Sequence, residues 1–464
     1  MKVRMVGDDV SVPVLGGGMR RYVFLDNAAS TPALLSVQET VNEFLRWYAS
    51  VHRGTGFKSR LSTRAYDDAR EIIMDFVGAD PQVHTAIFGR NTTDAINKLA
   101  HRLEFNEGDV VLCSLSEHHS NDLPWRSRAK VIHFNSDRGG HLEFEDFRDK
   151  LRAYAGRVKL VAVTGASNVT GFLPDIHRYA EQAHLAGARI LVDCAQLGAH
   201  RAIDMRPPDD PSCLDYISLS GHKMYAPFGT GVLVGRRDTF ETGEPEYAGG
   251  GTVEFVTLDE VALSPPPARD EAGSPNVVGA VAFAAAVQEL KKTGMDAVAE
   301  HERELTVYAL EKMKDIKTIN IYGDREPTTA GERLGVIPFN LEDISHALVA
   351  AILGMEYAVG VRNGCFCAHP LLLHLLNISE EQAARVRDDI MSGDRSTMPG
   401  LVRASFGIYN TREDVDVLIE ALQAVEKGAY DRERYVLDKA SGEYSVCDHN
   451  INIEDYFSLT TPTS

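Results

Sequence analysis

From about residue 85 to residue 236 the chain alternates short apolar runs with amphipathic stretches. The runs TAIFG (85–89), DVVLCSL (109–115), KVIHF (130–134), VKLVAVTG (158–165), ARILVDC (188–194), DYISLS (215–220) and GVLVGR (231–236) are mostly apolar on successive positions. A strand with one wet face alternates apolar and polar side chains, so unbroken runs predict strands covered on both faces. Between several of them the apolar positions recur at helical spacing. In DIHRYAEQAHLAG (175–187), Ile176, Tyr179, Ala183 and Leu185 are expected to share one face, with Gly187 stopping the helix. The alternation predicts an α/β fold whose large domain is a mostly parallel sheet covered by helices.

After about residue 285 longer helical patterns take over, as in VAEHERELTVYALEKMKDI, with few strands between them. That change predicts a second, smaller α+β domain. The expected organisation is a segment 1–24 packing with the small domain, a large domain over 25–285, a small domain over 286–430, and an extension over 431–464. The extension is polar, has little periodicity, and is read as lying outside both domains.

A chain of 464 residues is long enough for two or three domains and a large core. Its 48 basic residues against 67 acidic ones give a net charge of −19, which argues against nucleic acid and anionic membrane surfaces as partners. No apolar run approaches a membrane span, and MKVRMVGDDVSVPV lacks the apolar core of a signal peptide. Six cysteines in so long a chain do not make a disulfide framework, so reduced thiols and a cytoplasmic location are expected.

In sheets of this kind ligands bind beyond the carboxyl ends of the strands, which makes polar residues there informative. Thr92 and Thr93 open a helix after the first run, where free N–H groups favour a phosphate; the same residues also read as an ordinary cap. ARILVDCAQ ends in Asp193 with Gln196 close behind. A carboxylate there is either a cap or the partner of a bound cation, and a protonated pyridine nitrogen is such a cation. SLSEHHSNDLPW supplies His118 and His119, one of which could stack on a flat ring. SLSGHKMYAPFGTGVL places Lys223 between small residues at a strand end, with Ser220 and His222 beside it. A phosphate cradle, a ring-nitrogen acid, a stacking partner and an unhindered lysine match what pyridoxal 5′-phosphate requires. Lys223 would carry its aldehyde as a Schiff base, then move the substrate's α-proton.

The motifs FLDNAAST (24–31), SVHRGTG (50–56), SEHHSNDLPW (116–125), SNVTG (167–171), VDCAQ (192–196), SGHK (220–223), EAGSPN (271–276), RNGCFCAHP (362–370) and RASFGIYNT (403–411) occur in order. In these the chain resembles class V aminotransferase-type enzymes of fold type I, most of all the group II cysteine desulfurase and selenocysteine lyase family. The resemblance implies that Thr92, Thr93, Ser220 and His222 bind phosphate and that His118 stacks on the ring. It further implies that Asp193 pairs with the pyridine nitrogen, Gln196 faces the ring hydroxyl, and Lys223 carries the cofactor. Asn168 and Arg403 would hold the substrate carboxylate, with Ala29, His52 and Arg362 also at the substrate. Ser274 would reach the phosphate of a neighbouring subunit in a homodimer.

Desulfuration needs a thiolate that attacks the substrate's sulfur and leaves alanine and a protein persulfide. Cys367 matches the family's nucleophile, with Arg362 and His369 nearby, whereas Cys365 stands where the family commonly has histidine. Cys367 is expected to face the cofactor, and Cys365 to pack or to serve as a resolving thiol. A metal is not expected, because Cys365, Cys367 and His369 supply three ligands and structural zinc takes four. The stretch between His369 and Arg403 is longer than the short family members have. The implied activity is removal of sulfur or selenium from cysteine or selenocysteine, with a possible sulfur-acceptor protein. A carbon–sulfur β-lyase acting on cystine or a cysteine conjugate is the alternative, and a non-catalytic scaffold would have no need of Lys223, Asp193 and Arg403 together.

Overall fold

A computed structural model describes residues 3–447 and 451–460. All seven apolar runs form strands: β1 (His84–Gly89), β2 (Val110–Ser114), β3 (Lys130–Phe134), β4 (Val158–Thr164), β5 (Arg189–Asp193), β6 (Tyr216–Ser220) and β7 (Gly231–Arg236). They make one sheet in the order β1-β7-β6-β5-β4-β2-β3. Strands β2 to β6 pair in parallel, and β7 runs antiparallel to both β1 and β6. Successive side chains of a strand point to opposite faces. Accordingly Ile87, Val111, Leu160, Leu191, Tyr216 and Leu233 pack on one side, beside Ile96 and Leu99 of the helix Thr92–Arg102. Phe88, Leu112, Val161, Val192, Ile217 and Val234 pack on the other side, in the larger core. Burial on both faces is why six of the runs read as unbroken; the edge strand β3 departs from this, with Phe134 alone fully buried.

The helix Ile176–Leu185 forms where expected, and Ile176, Tyr179 and Ala183 are buried together with Ala180. Leu185 corrects the expected face: it is 73% exposed. Counted from Ile176 it lies nine residues on, two and a half turns at 3.6 residues per turn, which places it on the opposite side.

A second core lies around the antiparallel strands Ile319–Ile321, Val336–Leu341, Leu401–Ser405 and Arg362–Gly364, with the helices Met295–Met313, His346–Tyr357 and Arg412–Glu426 packed on them. The helix Val277–Thr293 runs through the expected boundary at 285 without a break. Its Phe283, Val287 and Leu290 all belong to the large core, and Leu305 is the first residue after this helix to join the second core. Near the N-terminus Val23–Phe24 pairs in parallel with Val359–Gly360 and Leu25 joins the second core, while Met5 packs on the first. The tail is not featureless. Tyr435–Leu437 and Tyr444–Val446 form an antiparallel hairpin whose Tyr435 is buried in the second core. No helix among the described residues is long and apolar enough to cross a membrane.

Candidate active site

The carboxyl ends of β4, β5 and β6 open on a cavity of about 680 Å³, the crevice that a sheet of this kind creates. Thr164, Asp193 and Ser220 terminate these strands and line it. The helix Thr92–Arg102 aims its N-terminus at the same space, with the Asn91 side chain accepting from the Asp94 amide at 3.0 Å. Its approach to the sheet is close. A Cβ on Gly231, the first residue of β7, would sit 2.5 Å from Asn91. The Thr92 amide donates to Ser220 Oγ at 2.8 Å, the Thr93 and Ser120 hydroxyls meet at 2.6 Å, and Thr92 Oγ1 is buried with no partner among the described residues.

Lys223 follows β6 in a short 3₁₀ turn, and its Nζ donates to Gln196 Oε1 at 3.2 Å. Burial pulls its ammonium down to about 8, with the Asp193 charge opposing and the Arg403 charge assisting. Asp193 is itself pushed up by burial, against the Ala195 amide that it accepts at 2.9 Å and the Lys223 charge. It therefore caps a turn and also faces the cavity. His118 lines the wall, held by the Ser120 amide on Nδ1 at 3.1 Å; burial, then the Lys223 charge, drops it to about 3, so the ring is neutral. The buried Glu117 carboxyl, pushed up to about 8 by burial, fixes this loop by accepting from Asn121 Nδ2 at 2.7 Å and from the Thr164 amide at 2.6 Å. His222 lies alongside, lowered to about 4 by burial.

The opposite wall comes from the second core. Arg403, buried on Leu401–Ser405, donates to the Asn168 carbonyl at 2.9 Å and to Asp26 Oδ1 at 3.2 Å, and its Nε has no partner among the described residues. Burial brings it down to about 10, where it stays charged at neutral pH. Arg362 takes the other oxygen of Asp26 at 2.8 Å. The Asn168 amide is spent on Phe366, donating to its carbonyl at 2.8 Å. Ala29 completes this side.

Cys367 lies between the two walls. It is exposed, lines the cavity with Lys223, and follows a strand that ends at Gly364. The loop turns sharply there, with φ of 52° at Phe366 and 54° at Cys367, a left-handed conformation unfavourable for side chains of this size. Several contacts hold it: the His119 amide donates to the Cys367 carbonyl at 2.8 Å, His119 Nε2 lies 3.1 Å from His369 Nδ1, and their rings stack. The turn separates the two cysteines. Cys365 is buried, donates its thiol to the Pro399 carbonyl at 3.0 Å, and is pushed up to about 12 by burial.

Two expected residues stand apart from this cavity. His52 is exposed, with φ of 73°, its amide bonded to Thr63 Oγ1 and its ring edge-on to Tyr66, and it does not line the cavity. Ser274 is exposed on a loop outside the cavity. Elsewhere, Cys113, Asp122 and His133 lie close together, but Asp122 is already held by Arg126 and His133, and Cys113 donates to the Asn121 carbonyl. Cavity residues not foreseen are Asp26's two-arginine bridge beneath it and, on its rim, His346, Arg395, Glu443 and Tyr444.

The family model for class-V aminotransferases matches residues 23–418. A probable cysteine desulfurase of Staphylococcus aureus is 36% identical over 419 residues, 88% of this chain and 93% of that protein. One from Halalkalibacterium halodurans is 34% identical over 414 residues, 87% and 93% respectively. The apo structure of a cysteine desulfurase from Thermococcus onnurineus superposes with a TM-score of 0.76 at 31% identity, covering 88% of this chain and 95% of that one. The cysteine desulfurase CsdA of Escherichia coli, in an S-sulfonic acid form, gives 0.73 at 28% identity, covering 88% and 96%. The sheet order, the two cores and these likenesses agree on fold type I, and the chain belongs to the class-V aminotransferase family.

Proposed function

We propose that this protein is a pyridoxal phosphate-dependent cysteine desulfurase or selenocysteine lyase. The donor set suits that cofactor: a buried threonine hydroxyl without a partner at a helix N-terminus, a buried carboxylate, a neutral imidazole wall and a lysine of lowered basicity share one cavity. Thr92, Thr93, Ser220 and His222 would hold the phosphate, His118 would flank the ring, and Asp193 and Gln196 would meet its nitrogen and hydroxyl. When bound, pyridoxal phosphate supplies an electron sink for the charge formed as the substrate loses its α-proton. Lys223 would take that proton, a task that suits an amine at about 8. Arg403, with donors left over from Asp26 and Asn168, would hold the substrate carboxylate beside Arg362 and Ala29. Cys367 would then receive the sulfur: an S–S bond forms as the substrate's carbon–sulfur bond breaks, leaving a persulfide and alanine. Ser274, exposed on its loop, would complete the phosphate site of a second subunit in a homodimer.

The observation that carries this reading is one cavity shared by Lys223 and an exposed Cys367 on a tightly held loop. Product analysis with cysteine, selenocysteine and cystine tests it. Alanine from cysteine is expected, and Cys367→Ala should abolish it while Cys365→Ala keeps most of it. Pyruvate and ammonia alone would make the protein a β-lyase.

A further inference from the structure

The cavity extends past the segment that matches the family model. The family match ends at residue 418, yet the tail hairpin contributes Glu443 and Tyr444 to the wall, and the loop before Leu401 contributes Arg395. These two elements are strapped together. The Arg395 amide donates to the Lys439 carbonyl at 2.7 Å, its guanidinium donates to the Ala440 carbonyl at 2.8 Å, and Lys439 pairs with Asp394 at 3.5 Å. The hairpin is also tied to the strand leading to the nucleophile, since Asn363 Nδ2 donates to the Glu443 carboxylate at 3.3 Å.

Arg395 and Glu443 thus present opposite charges on one cavity, and neither forms an ion pair, with the other or elsewhere, among the described residues. His346 lines the same cavity. Its Nε2 engages the Met398 carbonyl at 3.2 Å, and its buried Nδ1 has no partner among the described residues. A cavity lined by a cation and an anion, both exposed and neither in an ion pair among the described residues, suits a ligand that carries both charges.

We propose that this outer compartment is a subsite for a low-molecular-weight thiol bearing an α-amino-acid zwitterion, which takes the sulfur from Cys367. The inference rests on the desulfurase reading above. The acceptor's carboxylate would meet the Arg395 fork and its ammonium the Glu443 carboxylate. Its thiolate attacks the outer sulfur of the Cys367 persulfide. A new S–S bond forms on the acceptor, the bond to Cys367 Sγ breaks, and Cys367 leaves as thiolate with no net oxidation or reduction. Both charged residues are exposed at the rim, so each contact is worth at most about a fivefold change in rate.

The test needs no turnover. Holoenzyme carrying Cys447→Ser, so that Cys367 is the exposed thiol among the described residues, is reduced with borohydride to fix the cofactor on Lys223. Cys367 is then converted to its mixed disulfide with nitrothiobenzoate, and chromophore release is timed with homocysteine, cysteamine, 3-mercaptopropionate and 2-mercaptoethanol. Each rate is divided by that of the same thiol on a small-molecule mixed disulfide. Homocysteine should outpace neutral 2-mercaptoethanol severalfold. Arg395→Ala should slow homocysteine and 3-mercaptopropionate, Glu443→Gln should slow homocysteine and cysteamine, and Arg395→Lys should keep part of the preference. The neutral thiol should react equally in all. No charge preference, a preference surviving both substitutions, or an equal change with the neutral thiol would overturn the subsite. Sulfur arriving on Cys367 from cysteine is scored separately. Its absence alongside an intact charge preference sinks the desulfurase reading and leaves the subsite; its presence without that preference does the reverse.

Discussion

Replacing Lys223 with methionine should make the cofactor-free protein more stable. The ammonium sits in a buried environment that lowers it from 10.5 to about 8, and burial outweighs the favourable charge of Asp193. At about 1.36 kcal/mol per unit, that gap costs the folded state about 3 kcal/mol, an upper figure because the cavity admits water. Methionine has similar length and no charge, so it removes the cost without leaving a hole. The pH dependence fixes the cause. Below about 8 the amine is protonated in both folded and unfolded chains, and the whole penalty is present. Between about 8 and 10.5 the unfolded chain holds more protons, so wild-type stability climbs with pH. The variant's advantage should therefore fall to about a quarter of its neutral value by about pH 10 and vanish above the unfolded value. Urea midpoints of the stripped proteins, followed by circular dichroism at about pH 7 and pH 10, measure it. A variant no more stable than wild type at pH 7, or an advantage equal at both pH values, would refute the electrostatic strain assigned to Lys223.

Capture of pyridoxal phosphate by the stripped protein should quicken about tenfold per pH unit below about 8 and level off above it, because the neutral amine is the reacting form. Stopped-flow absorbance reads this directly. Asp193→Ala should lower kcat by about 10²–10³, the usual cost of removing one preorganised charge, with circular dichroism unchanged. Near-normal turnover would leave Asp193 only its role as a cap on the Ala195 amide. Light scattering should find a homodimer, and Ser274→Ala should weaken cofactor retention; a fully active monomer would contradict the shared site.

The sheet was legible in the sequence because all its strands but the edge strand β3 are buried on both faces, so each of those appears as a continuous run that only length and flanking residues need interpret. Lys223, Asp193, Ser220 and the Thr92–Thr93 pair were legible because parallel topology forces strand ends and helix starts to one edge. Asp26 was harder. It lies in a quoted motif, but its role as the bridge between Arg362 and Arg403 depends on contacts more than 330 residues away along the chain. The tail hairpin was misread because each strand is three residues long with its polar residues in the majority of the connecting stretch. Its signal was present all the same: a Ser-Gly turn pair, Ser441–Gly442, between two tyrosine- and valine-bearing segments. Alternation along an extended loop would put Cys365 and Cys367, two residues apart, on the same face, so their separation needed a turn. The structure supplies that turn through two successive left-handed residues, Phe366 and Cys367.

The most direct test of the account is to locate the sulfur after one turnover. Holoenzyme mixed with a single equivalent of cysteine, trapped by alkylation and digested, should carry one extra sulfur atom on the Cys367 peptide, with alanine released in equal amount. No added sulfur at Cys367, or pyruvate and ammonia in place of alanine, would contradict it.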